Sequence, residues 1–232
     1  NTGAQTYNAG AGIGTAGLGS GGVNVKNQAA GTNALVNLTI AGGNIEARGA
    51  WGYSSGTSGG AAAIGTGSAA KQEYTSGTVT GLKITGGNIK AYRIDNSAAC
   101  IGGGYRSGYV NMDIYGGTID ATLTDALESN TNANPRTFDK MRAAAIGGGG
   151  GGNNTGSPAG ATVTIHNGYV KAKGQYGSAI GSGSGGKTGS GQDAEVMIIN
   201  GIIEATTDKG NGQGSGAAIG SGGSTGTGHA GE

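Results

Sequence analysis

Apolar and polar residues alternate over short stretches that recur along the chain. The longest recurring stretch, called the long phrase below, reads apolar-x-Ile-x-(Gly/Asn)-Gly-x-(Ile/Val)-x-Ala. Its five copies are residues 38–47, 82–91, 112–121, 163–172 and 196–205. Alternation with a period of two is typical of β-strands that bury one face. Each long phrase therefore predicts two short strands separated by a bend.

The bend of each long phrase has two positions with different compositions. The first position is Gly42, Gly86, Gly116, Asn167 or Asn200, and the second is glycine in each copy. Glycine, with asparagine as its only substitute, is the pattern expected where the backbone angle φ is positive. We therefore expect a positive φ at the first bend position.

A second phrase, Ala-Ile-Gly, alternates with the long phrase and predicts a third short strand. It occurs at residues 63–65, 145–147, 179–181 and 218–220, with variants at 12–14 and 100–102. Three strands per turn give a triangular coil, and the general chirality of parallel crossovers makes the winding right-handed. We predict an all-β fold, a right-handed parallel β-helix (solenoid) of about five to six coils with Gly-rich turns.

The predicted β-helix forms a single domain over residues 1–232. Its long-phrase segments are residues 36–49, 80–92, 110–122, 161–174 and 194–206, and a loop insertion occupies residues 123–142. The connections vary in length while the phrases keep their internal spacing. Such variation is typical of repeats that carry inserted loops.

Stacked coils place equivalent residues in columns with a spacing of about 4.8 Å. The residue before the terminal alanine of the long phrase is predicted to point outward. It is charged in all five copies, with alternating sign: Glu46, Lys90, Asp120, Lys171 and Glu204. Charged residues make up only 12% of the chain, so this ladder indicates that the coils stack in register. A shifted register would bring like charges together.

Two long connections leave the same edge of the predicted coil stack, on either side of a shorter one. Two long loops that flank a short one form a notch, and exposed aromatic residues are common anchors in recognition. We predict that this notch binds a ligand. Its candidate binding residues are Trp51, Tyr53, Tyr92, Arg93, Asp95, Arg136, Phe138 and Lys140. The alternative is that Trp51 and Phe138 only hold their own loops in place.

Composition narrows the possible partners and cofactors. The formal net charge is +1 without Lys or Arg runs, and no stretch reaches the roughly 20 apolar residues of a membrane span. We therefore predict neither a nucleic-acid partner nor membrane insertion. One Cys and two His without companions at ligand spacing predict no metal and no cofactor. Cys100 replaces an alanine of Ala-Ile-Gly, which predicts a buried thiol, and His166 is predicted to be solvated.

Many parallel β-helices are polysaccharide lyases or hydrolases, so catalysis is an alternative to binding. Glycoside hydrolysis needs two carboxylates about 5–10 Å apart. Asp120 lies in the ladder between two lysines, and Asp113 is expected to stack beside Lys83. Both carboxylates are therefore predicted to pair with lysines rather than to act in catalysis. We predict a non-enzymatic protein. A polysaccharide lyase or hydrolase and a structural stalk remain the alternatives.

The alternation of Ala-Ile-Gly, glycine runs and Ile-x-Gly-Gly-x-Ile-x-Ala resembles repeats in large cell-wall-associated proteins of Gram-positive bacteria, including gut commensals. The resemblance extends from Tyr7 to about Gly226. It implies an extracellular location, either cell-wall-associated or secreted, within a longer chain. It also implies an adhesin-like function toward a glycan or a host protein, immunoglobulin included. The expected function is therefore an extracellular binding module.

Overall fold

The computed structural model describes residues 13–14, 34–49, 51–54, 57–67, 77–93, 97–124, 142–151, 158–185, 192–208 and 215–223. All regular secondary structure in these segments is β-strand, and none of them contains a helix long and apolar enough to cross a membrane. The strands in chain order are β1 Ile13–Gly14, β2 Leu35–Val36, β3 Thr39–Ile40, β4 Asn44–Arg48, β5 Trp51–Ser54, β6 Thr57–Gly60, β7 Ile64–Gly65, β8 Val79–Ile84, β9 Asn88–Arg93, β10 Ile101–Gly102, β11 Val110–Ile114, β12 Thr118–Thr124, β13 Ile146–Gly147, β14 Ala161–Ile165, β15 Tyr169–Gly174, β16 Ile180–Gly181, β17 Ala194–Ile198, β18 Ile202–Thr207 and β19 Ile219–Gly220.

Three parallel sheets form the sides of the molecule. The first long sheet has the order β17-β14-β11-β8-β2, with β3 also paired to β8, and the second long sheet has the order β18-β15-β12-β9-β4. The Ile-Gly sheet has the order β1-β7-β10-β13-β16-β19. Each turn of the chain adds one strand to each sheet, which is the predicted parallel β-helix. We number the coils one to five by their long phrases, so that coil five contains β17, β18 and β19.

The core is a narrow column of aliphatic side chains between the three sheets. Every second residue of the long phrase points inward, because successive side chains of a strand point to opposite faces. In coils two to four these inward residues are almost fully buried. They include Ile84, Ile114 and Ile165 in the first long sheet, and Ile89, Ile119 and Val170 in the second. Small residues complete the core, which explains how a chain with 56 glycines folds.

The bends differ from the sequence expectation in one respect. The second bend position has the positive φ, between 96° and 120° at Gly43, Gly87, Gly117, Gly168 and Gly201, and the first position does not. The expectation for the first position is therefore wrong. Asparagine suits that position for another reason, because the backbone N–H of Gly168 donates a hydrogen bond to Asn167 Oδ1 at 2.8 Å.

Backbone packs directly on glycine in the Ile-Gly sheet. Gly102 has φ +130°, and a Cβ built on it would overlap the carbonyl oxygen of Gly147 in the next coil. The same relation joins Gly65 to Gly102, Gly147 to Gly181 and Gly181 to Gly220. Any side chain at these positions would push two coils apart. The glycine of Ala-Ile-Gly is thus required by coil stacking as well as by its own backbone angle.

The charged residues of the ladder lie in one column of the second long sheet. Strand register places Lys90 opposite Glu46 and Asp120, and Lys171 opposite Asp120 and Glu204. Lys171 Nζ is 3.3 Å from Glu204 Oε2, whereas the Asp120 carboxylate accepts hydrogen bonds from the backbone and hydroxyl of Thr122. Direct pairing along the described column is therefore partial. The larger contribution of the charged ladder is to disfavour a register that would bring like charges together.

Alanine substitution should separate the two reasons for glycine in the Ile-Gly sheet. Gly102 and Gly220 have similar positive φ angles, but only the Cβ at Gly102 would meet a backbone carbonyl. Gly220→Ala should cost about 1–3 kcal/mol of unfolding free energy through backbone strain. Gly102→Ala should cost more than about 4 kcal/mol or prevent folding. Urea unfolding followed by circular dichroism measures both, and equal losses would contradict the stacking argument.

The Glu204 carboxyl should titrate below the ordinary range of glutamate. The Tyr169 hydroxyl donates to Glu204 Oε1 at 2.5 Å and lowers the pKa of this carboxyl, and Lys171 lowers that pKa further. A depressed folded-state pKa stabilises the protein above the unfolded-state pKa, and this contribution is lost as pH falls through the folded-state value. Carboxyl NMR titration should show that Tyr169→Phe raises the pKa of Glu204, and an unchanged pKa would refute the assigned cause.

Candidate functional site

The structure describes only part of the predicted notch. Trp51 and Tyr53 lie on β5, which pairs with β6 as an antiparallel hairpin between β4 and β7. Asp95, Arg136, Phe138 and Lys140 lie outside the described residues, as do the side chains of Trp51 and Tyr53. The first two residues of the expected loop insertion belong to β12, which ends at Thr124. The notch therefore stays a prediction.

Arg93 does not contribute to an open notch floor. Its side chain is only 2% exposed, and among the described residues neither Nη1 nor Nη2 has a hydrogen-bond partner. The expectation of an exposed Arg93 is thus corrected, because strand alternation continues past Ala91 and turns Tyr92 outward and Arg93 inward. Tyr92 is half-buried, with the guanidinium carbon of Arg48 at 4.3 Å from its ring centroid.

A different group of functional side chains lies on the outer side of the first long sheet. Tyr115 and His166 occupy the same position in coils three and four, directly after β11 and β14. Their backbone N–H groups donate to the carbonyl oxygens of Ile84 and Ile114 in the preceding coils, at 2.7 Å each. The repeat therefore brings the two rings together. They stack at a centroid distance of 4.0 Å with an interplanar angle of 8°.

Asp113 fixes the orientation of this ring pair. Its Oδ1 atom is 3.0 Å from Nε2 of His166, and both side chains are partly buried. An ionised carboxylate only accepts hydrogen bonds, so the Nε2–H of the imidazole is the donor. His166 thus points outward, but it is half-buried and paired with Asp113 rather than fully solvated, which corrects the expectation. Asp113 also lies in register with Lys83, as predicted, although its described carboxylate contact is with His166.

The ring of Tyr115 has one covered face and one open side. His166 covers the face toward coil four, and the corresponding residue on the coil-two side is Thr85, which is much smaller. Tyr115 is 42% exposed. We call Lys83, Thr85, Asp113, Tyr115 and His166 the Tyr115 site. It combines an accessible aromatic ring with an ammonium, a hydroxyl and a carboxylate on a rigid sheet.

A second exposed aromatic ring lies at the other end of the same strand. Tyr109 is 50% exposed, packs against Gly160, and has its hydroxyl 2.7 Å from Thr162 Oγ1. Tyr115 lies six positions after Tyr109, which corresponds to about 20 Å of extended strand. Two aromatic rings thus flank the polar outer face of β11. This spacing suits an extended ligand rather than a compact one.

Comparison with known proteins leaves the chain without an assigned relative. Neither a family model, nor a curated protein, nor a solved structure matches it. In the segments that the structure describes, no three His, Cys, Asp or Glu side chains are grouped closely enough to hold a metal ion. The chemistry of the Tyr115 site is therefore the basis for a functional assignment.

Sequence reasoning missed the Tyr115 site although the necessary pattern was present. Tyr115 and His166 each directly precede the bend of a long phrase, so the repeat alone places them in one column. The same column rule that identified the charged ladder would have paired them. The contact between Asp113 and His166 needed side-chain positions, because the two residues belong to neighbouring columns.

The Cys100 thiol should be protected from reagents in the folded protein. Cys100 is fully buried at the alanine position of its coil, and its Sγ donates to the carbonyl oxygen of Ala121 at 3.4 Å. Burial raises the pKa of the thiol, and nearby Arg93 opposes this shift only in part. Alkylation at mildly alkaline pH should be at least about tenfold slower than in urea. Rapid labelling of the native protein would contradict this, and Cys100→Ala is the unlabelled control.

Proposed function

We propose that this domain is a non-enzymatic binding module that works outside the cell and recognises a glycan through the Tyr115 site. The observation that carries the proposal is the stacked pair of Tyr115 and His166, which holds an exposed aromatic ring in a defined orientation. Aromatic faces pack against the C–H groups of sugar rings, while polar neighbours satisfy the hydroxyl groups. The location and the adhesin-like role rest on the resemblance to repeats of bacterial cell-wall-associated proteins.

The chemistry around the ring favours a sugar over an apolar ligand. Lys83 supplies a hydrogen-bond donor and the Asp113 carboxylate an acceptor, and the Thr85 hydroxyl, which donates to the Ile40 carbonyl oxygen at 3.4 Å, can still accept. Sugar hydroxyl groups both donate and accept hydrogen bonds, so this mixed set complements them. Because Asp113 and His166 hold the ring pair in place, little side-chain entropy is lost on binding.

Three other candidate functions are recognition of a host protein, a structural stalk, and a polysaccharide lyase or hydrolase. A host-protein ligand, immunoglobulin included, would use the loops with Trp51 and Tyr53. A structural stalk would need no ligand, but it does not account for an exposed Tyr115 ring ordered by Asp113 and His166. A lyase or hydrolase would need a second carboxylate or another acid–base group in place beside Asp113.

Binding to a glycan array and to a panel of secreted host proteins tests the proposal. The wild-type domain should bind at least one glycan class, and Tyr115→Ala should weaken that binding at least about tenfold, which corresponds to about 1.4 kcal/mol. Asp113→Ala should weaken it less, because that change frees the His166 ring without removing the stacking surface. Isothermal titration calorimetry on the best glycan gives the affinities.

The double variant Trp51→Ala/Tyr53→Ala is the matched aromatic control, and it should bind the glycan like the wild type. Loss of binding in this variant together with normal binding by Tyr115→Ala would move the site to the notch. Binding only to host proteins, or no binding at all, would overturn the glycan proposal. Circular dichroism confirms that each variant remains folded.

A further inference from the structure

In the described residues, the core is open on one side of coil five. Ile198 follows the column of Ile84, Ile114 and Ile165, which are completely buried, yet Ile198 is 41% exposed. Ile219 has the same exposure in the Ile-Gly sheet, where Ile180 is completely buried. At coil one, by contrast, Ile40 and Ala47 remain buried. Leu38 and Ile45 of coil one are half-buried, so the largest exposure of inward core residues in the described stack lies at coil five.

Backbone groups at this end lack the partners that each earlier coil provides. Within the described residues, β17, β18 and β19 each pair with one strand only, so their other edges are free. The carbonyl of the following coil fills the space beside Gly65, Gly102, Gly147 and Gly181. Among the described residues, no backbone atom lies within 4 Å in the corresponding space beside Gly220. Open strand edges of this kind accept further strands.

Three outward positions of coil five carry large aliphatic side chains, at Met197, Ile199 and Ile202. Met197 continues a column that contains Thr39, Lys83, Asp113 and Thr164. Ile202 continues a column of Asn44, Asn88, Thr118 and Tyr169, and it is 65% exposed. Ile199, which follows His166 in its column, is exposed as well. Groups of exposed apolar side chains often mark interaction surfaces.

The negative charge of Glu204, the last residue of the ladder, indicates which charge the partner carries beside it. Glu204 has Lys171 on one side in the column, and its other side faces the open end. Continued alternation requires a Lys or Arg there. A second copy stacked in register through its coil one would place Glu46 beside Glu204, and two like charges would disfavour that arrangement.

We propose that the exposed side of coil five, formed by β17, β18 and β19, docks a further coil of the same repeat that carries Lys or Arg at the ladder position. Its strands extend the three parallel sheets, and its inward aliphatic residues cover Ile198 and Ile219. An outward residue such as the tyrosine found at position 169 packs over Ile202. This interaction is independent of the glycan proposal, because it uses the strand edges of coil five and none of the five residues of the Tyr115 site.

Coil four supplies the probe, since it carries lysine at the ladder position. A labelled peptide of residues 161–185 contains the strands of a complete coil. Its binding to the full chain is measured by fluorescence anisotropy, against the same peptide with Lys171→Glu. The lysine peptide should bind at least about threefold more tightly than the glutamate peptide, which is the size of effect expected for an exposed charge pair.

A charge exchange in the protein keeps the test specific. The Glu204→Lys protein should reverse the preference and favour the Lys171→Glu peptide, whereas Ile202→Lys should weaken both peptides. Failure of the wild-type protein to bind either peptide at millimolar concentration would overturn the proposal. Equal binding of the two peptides would overturn it too. So would self-association of the wild-type protein, if the Glu204→Lys protein self-associates equally well. Glycan binding by Glu204→Lys should remain normal, which separates this result from the Tyr115 site.

Discussion

Contact between backbone carbonyls and glycine residues in the Ile-Gly sheet is the constraint on which the rest of the structure depends. In this sheet, the glycine carbonyl of one coil occupies the space where a side chain on the glycine of the preceding coil would otherwise lie. Coils can approach to the spacing of hydrogen-bonded strands only if that space is empty. The high glycine content is therefore a packing requirement of an ordered protein. Low-complexity disorder, the usual consequence of such a composition, is avoided because the apolar residues recur in register.

This close stacking leaves little interior for function. The core holds mainly aliphatic and alanine side chains, although Arg93, Cys100, Arg106 and Tyr176 are also buried in the described segments. Side chains that could bind a ligand therefore lie in the outward columns and in the connections between strands. In a column, a substitution in one coil changes one position and leaves the register intact. Tyr115 and His166 illustrate this, because two rings replace small or aliphatic residues while the backbone hydrogen bonds of the column continue.

The architecture was predictable because the repeat constrains every coil in the same way. Five copies of the long phrase determine the strands and register, and the alternating charges from Glu46 to Glu204 identify one outward column. Arg93 was misplaced because the alternation was not followed beyond Ala91. The positive φ was assigned to the wrong bend position because asparagine suits both a left-handed angle and a side-chain hydrogen bond to Gly168. The connecting loops lie outside the repeat, so no equivalent residue in another coil constrains them.

The quasi-one-dimensional architecture links binding to stability at both proposed surfaces. In such a stack each coil contacts only its neighbours, so the free energy of folding is divided among coil interfaces. A ligand at the Tyr115 site contacts residues from coils two, three and four, and it would therefore strengthen the interfaces between them. A coil docked on coil five would instead cover the exposed Ile198 and Ile219. Because an end coil is held from one side only, it is the first to open. Covering it stabilises the coil that limits the stability of the whole stack.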